Sequence, residues 1–178
     1  VVLVGLGERA SVDAERVRQA AASAVRVARG FQSADVSFGL TDDLPLQGEA
    51  LGEAIVSGLL LGDYRFLRYR TNLSEAESFE IATVSVLVAD DAVASVTTGV
   101  TTGTAVAGGV LLARDLVNIP GVDKTPPLLA DQAVALGERN PSVSVTVLDE
   151  VELEAQGFGG VLAVGKGSDS PPRFIIME

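Results

Sequence analysis

The sequence contains neither cysteine nor histidine, and each absence excludes a class of chemistry. Without cysteine the chain forms no disulfide, offers no thiolate nucleophile and builds no cysteine-type zinc site. Without histidine it has no imidazole general base, no Ser-His-Asp relay and no histidine ligand for a metal ion. Any catalysis by these residues would have to use carboxylates, lysine, tyrosine, serine or threonine.

Positive charge is also scarce, since 13 Lys and Arg stand against 24 Asp and Glu and give a formal net charge of -11. Nucleic-acid binding needs clustered basic side chains that neutralise phosphates, so we expect no nucleic-acid partner. The apolar runs are short, the longest being near residues 58–62 and 105–113, and neither approaches the roughly 20 residues of a membrane span. Neither run has the basic flank of a secretory signal. The sequence therefore predicts a soluble protein without a membrane partner.

What is present is ordinary globular composition, with 47% apolar and 21% charged residues among 178. This length suits one domain or two small ones. The chain opens on a β-type run at residues 1–4, without an initiator methionine, and closes on another at residues 173–178. Because buried strands need neighbours on both sides, we expect a piece of a longer protein, cut at both ends.

The first region alternates strand and helix patterns and is therefore predicted to be α/β. In order, the patterns predict a strand at residues 1–6 turning at Gly5 and Gly7, a helix capped by Ser11 or Asp13 and ended by Gly30, a strand at 36–40, a turn at 41–45, a helix at 47–61, and extended segments at 64–70 and 79–88.

Residues 95–113 carry little charge and are rich in Thr, Gly and Ala. Their glycines disfavour a helix, since each costs about 1 kcal/mol relative to alanine. Periodicity nevertheless predicts one, because a set of residues falls near one stripe, where small residues allow close packing: Val96, Val100, Gly103, Ala107, Val110 and Val117. About 20 such residues span roughly 30 Å, enough to connect two domains.

The last region again alternates helices and strands. The patterns predict a helix with Thr125 as its N-cap and Pro126 at its first position, ended at Asn140, then a strand at 143–147, a short helix capped by Asp149 and ended by Gly157, and a strand at 160–164. This order favours parallel pairing of the strands, in a second sheet that begins here and is then truncated.

Two glycine motifs resemble phosphate-binding loops. Residues 5–10 fit G-x-G-x-x-A, but an acid at the end of the next strand is missing, because Asp35 precedes that strand and Asp42 follows it. Residues 160–167 approach the P-loop, but Gly167 occupies the position of the required hydroxyl and the residues between the glycines are apolar. We expect a tight structural turn in the first case and a strand leaving into a glycine-rich turn in the second.

Two charged clusters also have plain structural interpretations. The acids of residues 149–154 could ligate a hard cation, but on a helix they spread around its surface and favour its N-terminus. Arg65, Arg68 and Arg70 alternate with aromatic residues, a pattern that binds anions or stacks on bases. With a net charge of -11, packing and intramolecular or subunit salt bridges are the better interpretation. We predict no catalytic, cofactor-binding or metal-binding residue in this chain.

Four stretches together resemble the leucyl aminopeptidase family of metallopeptidases. They are the VVLVGLG run at residues 1–7, the EAIVSGLLLGDYRF run at 53–66, ARDLVNIP at 113–120 followed by Thr125 and Pro126, and residues 157–175, which are similar to the family pattern G-x-G-G-LLAVG-x-GS-x-x-PPR. Their order and spacing match across nearly the whole chain. Leu67, where the family often has Asp, and the Gly and Thr content of the connecting helix depart from the pattern.

The resemblance implies an α/β fold with a macro-domain-like N-terminal domain at residues 1–92, incomplete at its start. A connecting helix at 93–117 and the truncated start of an α/β metallopeptidase domain at 118–178 would follow. It also implies a cytoplasmic, homohexameric parent that removes N-terminal amino acids, Leu preferred, from peptides with a free N-terminus. The parent would use two divalent metal ions, commonly Zn, Mn or Mg, to activate a bridging water and polarise the scissile carbonyl.

The metal-binding motifs of the family, of the types VGKGITFDSGG and NTDAEGR, are missing from this sequence. Val164 to Gly167 copies the first four letters of one motif, but Ser168 to Pro172 follows where Ile-Thr-Phe-Asp is required, so Lys166 is not assigned as the catalytic lysine. We therefore expect the chain to bind no metal and to be inactive alone. The alternative is a non-catalytic module that binds a nucleotide through residues 5–10 or only oligomerises.

Overall fold

The computed structural model describes residues 1–40 and 44–178, and the chain divides into two units, Val1–Asp115 and Leu116–Glu178. Thr41 to Asp43 of the predicted turn lie outside the described residues. The first unit contains α1 (Ala14–Gly30), β1 (Asp35–Gly39), α2 (Gly48–Asp63), α3 (Glu75–Ser78), β2 (Thr83–Leu87) and most of α4 (Val93–Asn118). The second contains α5 (Pro126–Arg139), β3 (Val145–Leu148), α6 (Glu150–Ala155), α7 (Gly159–Gly165) and β4 (Phe174–Met177).

The strands of the first unit confirm two sequence predictions and correct a third. β1 pairs in parallel with β2, from Asp35 opposite Thr83 to Gly39 opposite Leu87. The strand predicted at residues 1–6 is wrong: this segment has no strand pairing, and Leu3 is 92% exposed. Its apolar residues have strand propensity, but a strand exists only when a neighbour accepts its hydrogen bonds. Instead the segment lines an apolar groove of about 600 Å³ beside α1 and β1.

The segment at residues 64–70, predicted to be extended, is not a strand either. It leaves α2 and folds into a turn in which the backbone N–H of Arg70 donates to the carbonyl of Leu67 at 2.9 Å. The aromatic and arginine side chains thus alternate along a turn rather than along a strand. The pattern indicated a strand because a period of two is ambiguous over so few residues.

The core of the first unit lies between α1, α2 and the sheet. Asp13, rather than Ser11, caps α1 by accepting the Arg16 backbone N–H at 2.9 Å. The buried core cluster consists of Val12, Val17, Ala21, Val25, Phe38, Leu51, Ala54, Ile55, Leu59 and Val96. α1 and α2 approach closely because α2 presents glycines to α1. A Cβ added at Gly62 would lie 2.5 Å from the Ala22 Cα, so only glycine fits there.

The long helix α4 packs on α2 through a second set of glycines, and it confirms the helix predicted at residues 95–113. A Cβ on Gly99 would lie 2.7 Å from the Glu49 carbonyl carbon and closer still to its oxygen. One on Gly103 would lie 2.5 Å from a methyl carbon of Val56. The glycines that weaken helix propensity therefore create the contact that holds the helix in place.

α4 also has the length and composition of a membrane-crossing helix. Within the described part of the chain, the stretch Asp90–Asn118 alone meets this criterion, with a mean hydropathy of 1.4 over its best window. Counting unbroken apolar runs missed it, because glycine and threonine interrupt the runs while the mean stays high. Only length and composition suggest that this helix crosses a membrane. That the chain is soluble stays a prediction.

The second unit confirms the predicted caps and overturns one predicted strand. Thr125 caps α5 by accepting the Leu128 N–H at 3.4 Å, and Asp149 caps α6 by accepting the N–H groups of Val151 and Glu152 at 3.0 and 2.9 Å. Residues 160–164, predicted to be a strand, lie within the helix α7. A short apolar run fits either a buried strand or a helix.

The predicted parallel pairing is also wrong, since β3 pairs antiparallel with β4, from Val145 opposite Met177 to Leu148 opposite Phe174. Residues 160–164 are not available as a strand, because the carbonyl of Phe158 accepts the N–H groups of Val161 and Leu162 at 3.1 and 3.2 Å and starts a helical turn. The neighbour of β3 is therefore the strand at the end of the sequence.

Candidate functional site

The glycine motif at residues 5–10 does not form a phosphate cradle in this structure. No strand leads into it, and a short 3-10 turn at Arg9–Ser11 separates it from α1. The N-terminus of α1 already receives a negative charge from Asp13, which satisfies the Arg16 N–H. Gly7 has a φ of 81°, a left-handed conformation that favours glycine. The geometry supports a structural turn.

The second glycine motif lacks the geometry of a P-loop. A P-loop places its phosphate at the N-terminus of the helix that follows it. Here Gly160 and Gly165 lie inside α7, and Lys166 is at the C-cap, where backbone carbonyls repel an anion. A shallow pocket of about 370 Å³ beside Lys166 includes Glu150 and Glu154. A phosphate group in this pocket would meet two carboxylates and one ammonium group, so the pocket does not favour an anion.

The acidic residues 149–154 serve α6 itself. The Asp149 side chain accepts from the start of the helix, and Glu152 reaches back to accept the Asp149 backbone N–H at 3.0 Å, a reciprocal capping box. Glu150 pairs with Arg173 at 2.5 Å. Among residues 1–40 and 44–178, no three His, Cys, Asp or Glu side chains are grouped so as to hold a metal ion. The side chains that the structure describes therefore do not fit a two-metal centre.

Glu77, which contacts the arginine-aromatic turn at residues 64–70, has a strongly shifted pKa. The backbone and hydroxyl of Ser74 and the Arg70 guanidinium, at 2.6 Å, donate hydrogen bonds to the Glu77 carboxylate and lower its pKa to about 2. Arg65 donates to the backbone carbonyls of Glu77 and Phe79. Arg68 lies over the Tyr69 ring, 5.8 Å from its centroid.

These contacts support the prediction of packing and intramolecular pairing. Sequence reasoning singled out Arg65, Arg68 and Arg70, but it missed Glu77 and Arg29. These two residues line a surface pocket together with Arg65 and Arg70. The capping pattern from Ser74 to Glu77 was the available signal for Glu77. No local pattern could have found Arg29, because it comes from the end of α1.

The family-like segment at residues 113–120 begins with a set of contacts that attach α4 to the end of α2. The Tyr64 hydroxyl donates to Asp115 Oδ1 at 2.8 Å. The Arg114 guanidinium lies 5.5 Å from the Tyr64 ring centroid and donates to the Leu61 carbonyl at 3.3 Å. These residues join two helices, so their contacts support a structural role.

Comparison with known proteins gives the family directly. The model of the N-terminal domain of the cytosol aminopeptidase family matches residues 1–73, and that of its catalytic domain matches residues 111–178. A probable cytosol aminopeptidase of Roseiflexus castenholzii is 40% identical over 178 residues, and one of Syntrophotalea carbinolica is 39% identical over 183 residues. Each match covers 100% of this chain and 36% of the relative.

Solved structures agree in fold. The bottromycin maturation enzyme BotP in complex with Mn matches with a TM-score of 0.79 and 32% identity, over 98% of this chain and 35% of that chain. A mutant tomato leucine aminopeptidase matches with a TM-score of 0.77 and 25% identity, over the same shares. The chain is thus a mixed α/β structure that spans 36% of the length of its curated relatives. It belongs to the cytosol aminopeptidase family, matching the N-terminal domain and the start of the catalytic domain.

Proposed function

We propose that this chain is part of a leucyl aminopeptidase that hydrolyses N-terminal amino acids, Leu preferred, from peptides with a free N-terminus. The observation that carries the proposal is the pair of family matches at residues 1–73 and 111–178, which belong to two successive domains of one enzyme family. The relatives that match along the whole chain are named cytosol aminopeptidases, which supports a cytoplasmic enzyme.

The enzyme would use two divalent metal ions, with Mn, Zn or Mg as candidates. A related enzyme, BotP, has been solved in complex with Mn. The described residues of this chain offer no grouped ligands, and Lys166 lies beside glutamates in a shallow surface pocket. We therefore assign no catalytic, metal-binding or cofactor-binding residue here, and we expect these 178 residues to be inactive by themselves.

The residues present would serve folding, assembly and substrate access. In this proposal residues 1–92 form a macro-domain-like N-terminal domain, 93–117 a connecting helix and 118–178 the beginning of the catalytic domain. The contacts of Arg114 and Asp115 with the end of α2 support a connecting role for α4, because they anchor it close to where the catalytic-domain match begins. The assembled enzyme would be a homohexamer.

The test is hydrolysis of a Leu-anilide substrate by the purified 178-residue chain with manganese added. We expect no release of the anilide, while the cytosol aminopeptidase of Pseudomonas aeruginosa PAO1, a relative 33% identical over 181 residues, serves as the active control. Turnover by the pure chain would contradict the assignment of no catalytic residue. The reading frame of the parent protein tests the enzyme assignment separately, since we expect it to encode a GKG-x-x-FD-x-GG motif after Glu178. Absence of this motif would contradict the assignment of the parent as an enzyme.

A further inference from the structure

The pocket beside the arginine-aromatic turn is positively charged, whereas the protein as a whole is negatively charged. It has a volume of about 390 Å³, and its polar lining comes from Arg29, Arg65, Arg70 and Glu77. Among the residues that the structure describes, Asp63, which pairs with Arg29, is the other acid in contact with these arginines. Three guanidinium groups against two carboxylates leave a positive charge here, in a chain of formal net charge -11. Such a local excess attracts an anion.

The excess charge belongs to Arg65. Its guanidinium is partly buried and held by two backbone carbonyls, those of Glu77 and Phe79, the second at 2.8 Å. Among the described residues no carboxylate pairs with it. Carbonyl oxygens orient a guanidinium without neutralising its charge, and the group has five N–H donors in a planar fork. Arg65 is therefore held in place with donors to spare.

The two acids nearby are already engaged. Asp63 pairs with Arg29 at 2.5 Å, and both side chains are largely shielded, with 19% of Arg29 exposed. Glu77 accepts the N–H and hydroxyl of Ser74 as part of the α3 capping box. Moving Glu77 to neutralise Arg65 would break that box. Arg70 lines the pocket and pairs with Glu77 at 2.6 Å, and 53% of its side chain is exposed, so it is within reach of a ligand that enters the pocket.

We propose that this pocket binds a phosphate-type dianion, with Arg65 as its central ligand and Arg70 and Arg29 at its sides. Guanidinium groups bind phosphate oxygens in pairs of charge-assisted hydrogen bonds, and several around one pocket suit a tetrahedral oxyanion. The source is either free inorganic phosphate or the phosphate group of a small ester, for which the pocket has room. This site is independent of the proposed aminopeptidase activity.

The test is a calorimetric titration of the 178-residue chain with inorganic phosphate, and separately with glycerol phosphate, at neutral pH and constant ionic strength. We expect saturable binding to one site. Arg65→Gln should weaken it by about tenfold or more, as expected for the loss of charge-assisted hydrogen bonds. Tighter binding of the ester than of free phosphate would identify the ester as the source, and the reverse would identify the free ion.

A second variant protects the test against misfolding of Arg65→Gln. Leu67→Glu leaves the backbone contacts of Arg65 intact and puts a carboxylate on the pocket wall, so it should weaken binding similarly. The matched control is Arg139→Gln, which removes the same charge from α5, where the side chain bonds to the Ala135 carbonyl. We expect its affinity to be unchanged. Absence of saturation up to about 10 mM phosphate, or an equal loss in Arg139→Gln and Leu67→Glu, overturns the proposal.

Discussion

The two units of this chain are stabilised in different ways. The core cluster lies entirely within Val1–Asp115, where α1, α2 and α4 pack through glycines and small side chains. In Leu116–Glu178 the buried apolar residues that the structure describes are Ile119, Ala130, Leu148 and Leu153. Val117, Val122, Val151 and Val164 of this second unit are largely exposed, Val164 at 88%.

The second unit therefore depends more on local structure than on a core. Two of its helices, α5 and α6, begin with side-chain caps at Thr125 and Asp149, and its sheet is an antiparallel pair. Caps and hydrogen bonds contribute about 1 kcal/mol each, less than a well-packed core residue. We expect backbone amides of the first unit to exchange with solvent more slowly than those of the second. Four tests would sharpen or break this contrast.

The largest effect is expected from Gly99→Ala. The new methyl group would collide with the backbone of Glu49, and the helices could relieve the collision only by separating. We expect a loss of about 3 kcal/mol or more in the free energy of unfolding, measured by urea denaturation. Hydrogen exchange should accelerate in α1, α2 and α4.

Gly109→Ala is the matched control on the same helix. A Cβ there has nothing within 4 Å, so it should raise stability by about 0.5 to 1 kcal/mol through helix propensity alone. Equal effects of the two substitutions would show that the glycine contact does not hold the first unit together.

Removal of one buried side chain from each unit tests the contrast directly. Ile55 and Leu153 are both 0% exposed, so replacement of either by alanine should cost about 2 to 5 kcal/mol. Because the second unit has fewer buried residues, we expect Leu153→Ala to abolish protection of β3 and α6 from hydrogen exchange. Ile55→Ala should only reduce protection in α1 and α2. A larger loss of protection in the first unit would reverse the contrast.

Sequence reasoning succeeded for features that depend on neighbouring residues and failed for features that depend on residues far apart in the sequence. Asp13, Thr125 and Asp149 were predicted as caps because a cap depends on groups within three residues of it. The strand at residues 1–6 and the parallel sheet of the second unit were wrong, because strand pairing depends on residues far apart in sequence. The pocket at Arg65 was not predicted: the local alternation singled out Arg65 and Arg70 but was interpreted as packing and salt bridges, and Arg29 joins them only in the fold.

A smaller effect is expected from loss of a cap in the second unit. Asp149→Ala removes the acceptor for the N–H groups of Val151 and Glu152 and should cost about 1 kcal/mol. Hydrogen exchange resolved at these two amides measures it. Asp149→Asn keeps an acceptor oxygen and should restore most of the protection. If alanine leaves the α6 amides as protected as asparagine does, local caps do not sustain the second unit.

The smallest effect is expected on the stability of the chain at acidic pH. Glu77 has its pKa lowered from 4.5 to about 2 in the folded state, so the folded chain holds its negative charge more strongly than the unfolded chain does. Its contribution to stability is complete above pH 4.5 and is lost as the pH falls towards 2. Glu77→Gln should therefore weaken the pH dependence of unfolding in this window. In this variant, hydrogen exchange at the amides of the second unit should keep the pH dependence of the unsubstituted chain. An unchanged pH dependence in the first unit would contradict the pairing of Glu77 with Ser74 and Arg70.

The glycines of α4 have a further consequence for the register between α4 and α2. If α4 slid by one helical turn, roughly 5.4 Å, Gly103 would take the place of Gly99 and Ala107 that of Gly103. The methyl group of Ala107 would then collide with Val56, and a slide in the other direction would bring Ser95 against Glu49. Two glycines four residues apart thus admit one axial position, and that position sets Asp115 opposite the Tyr64 hydroxyl.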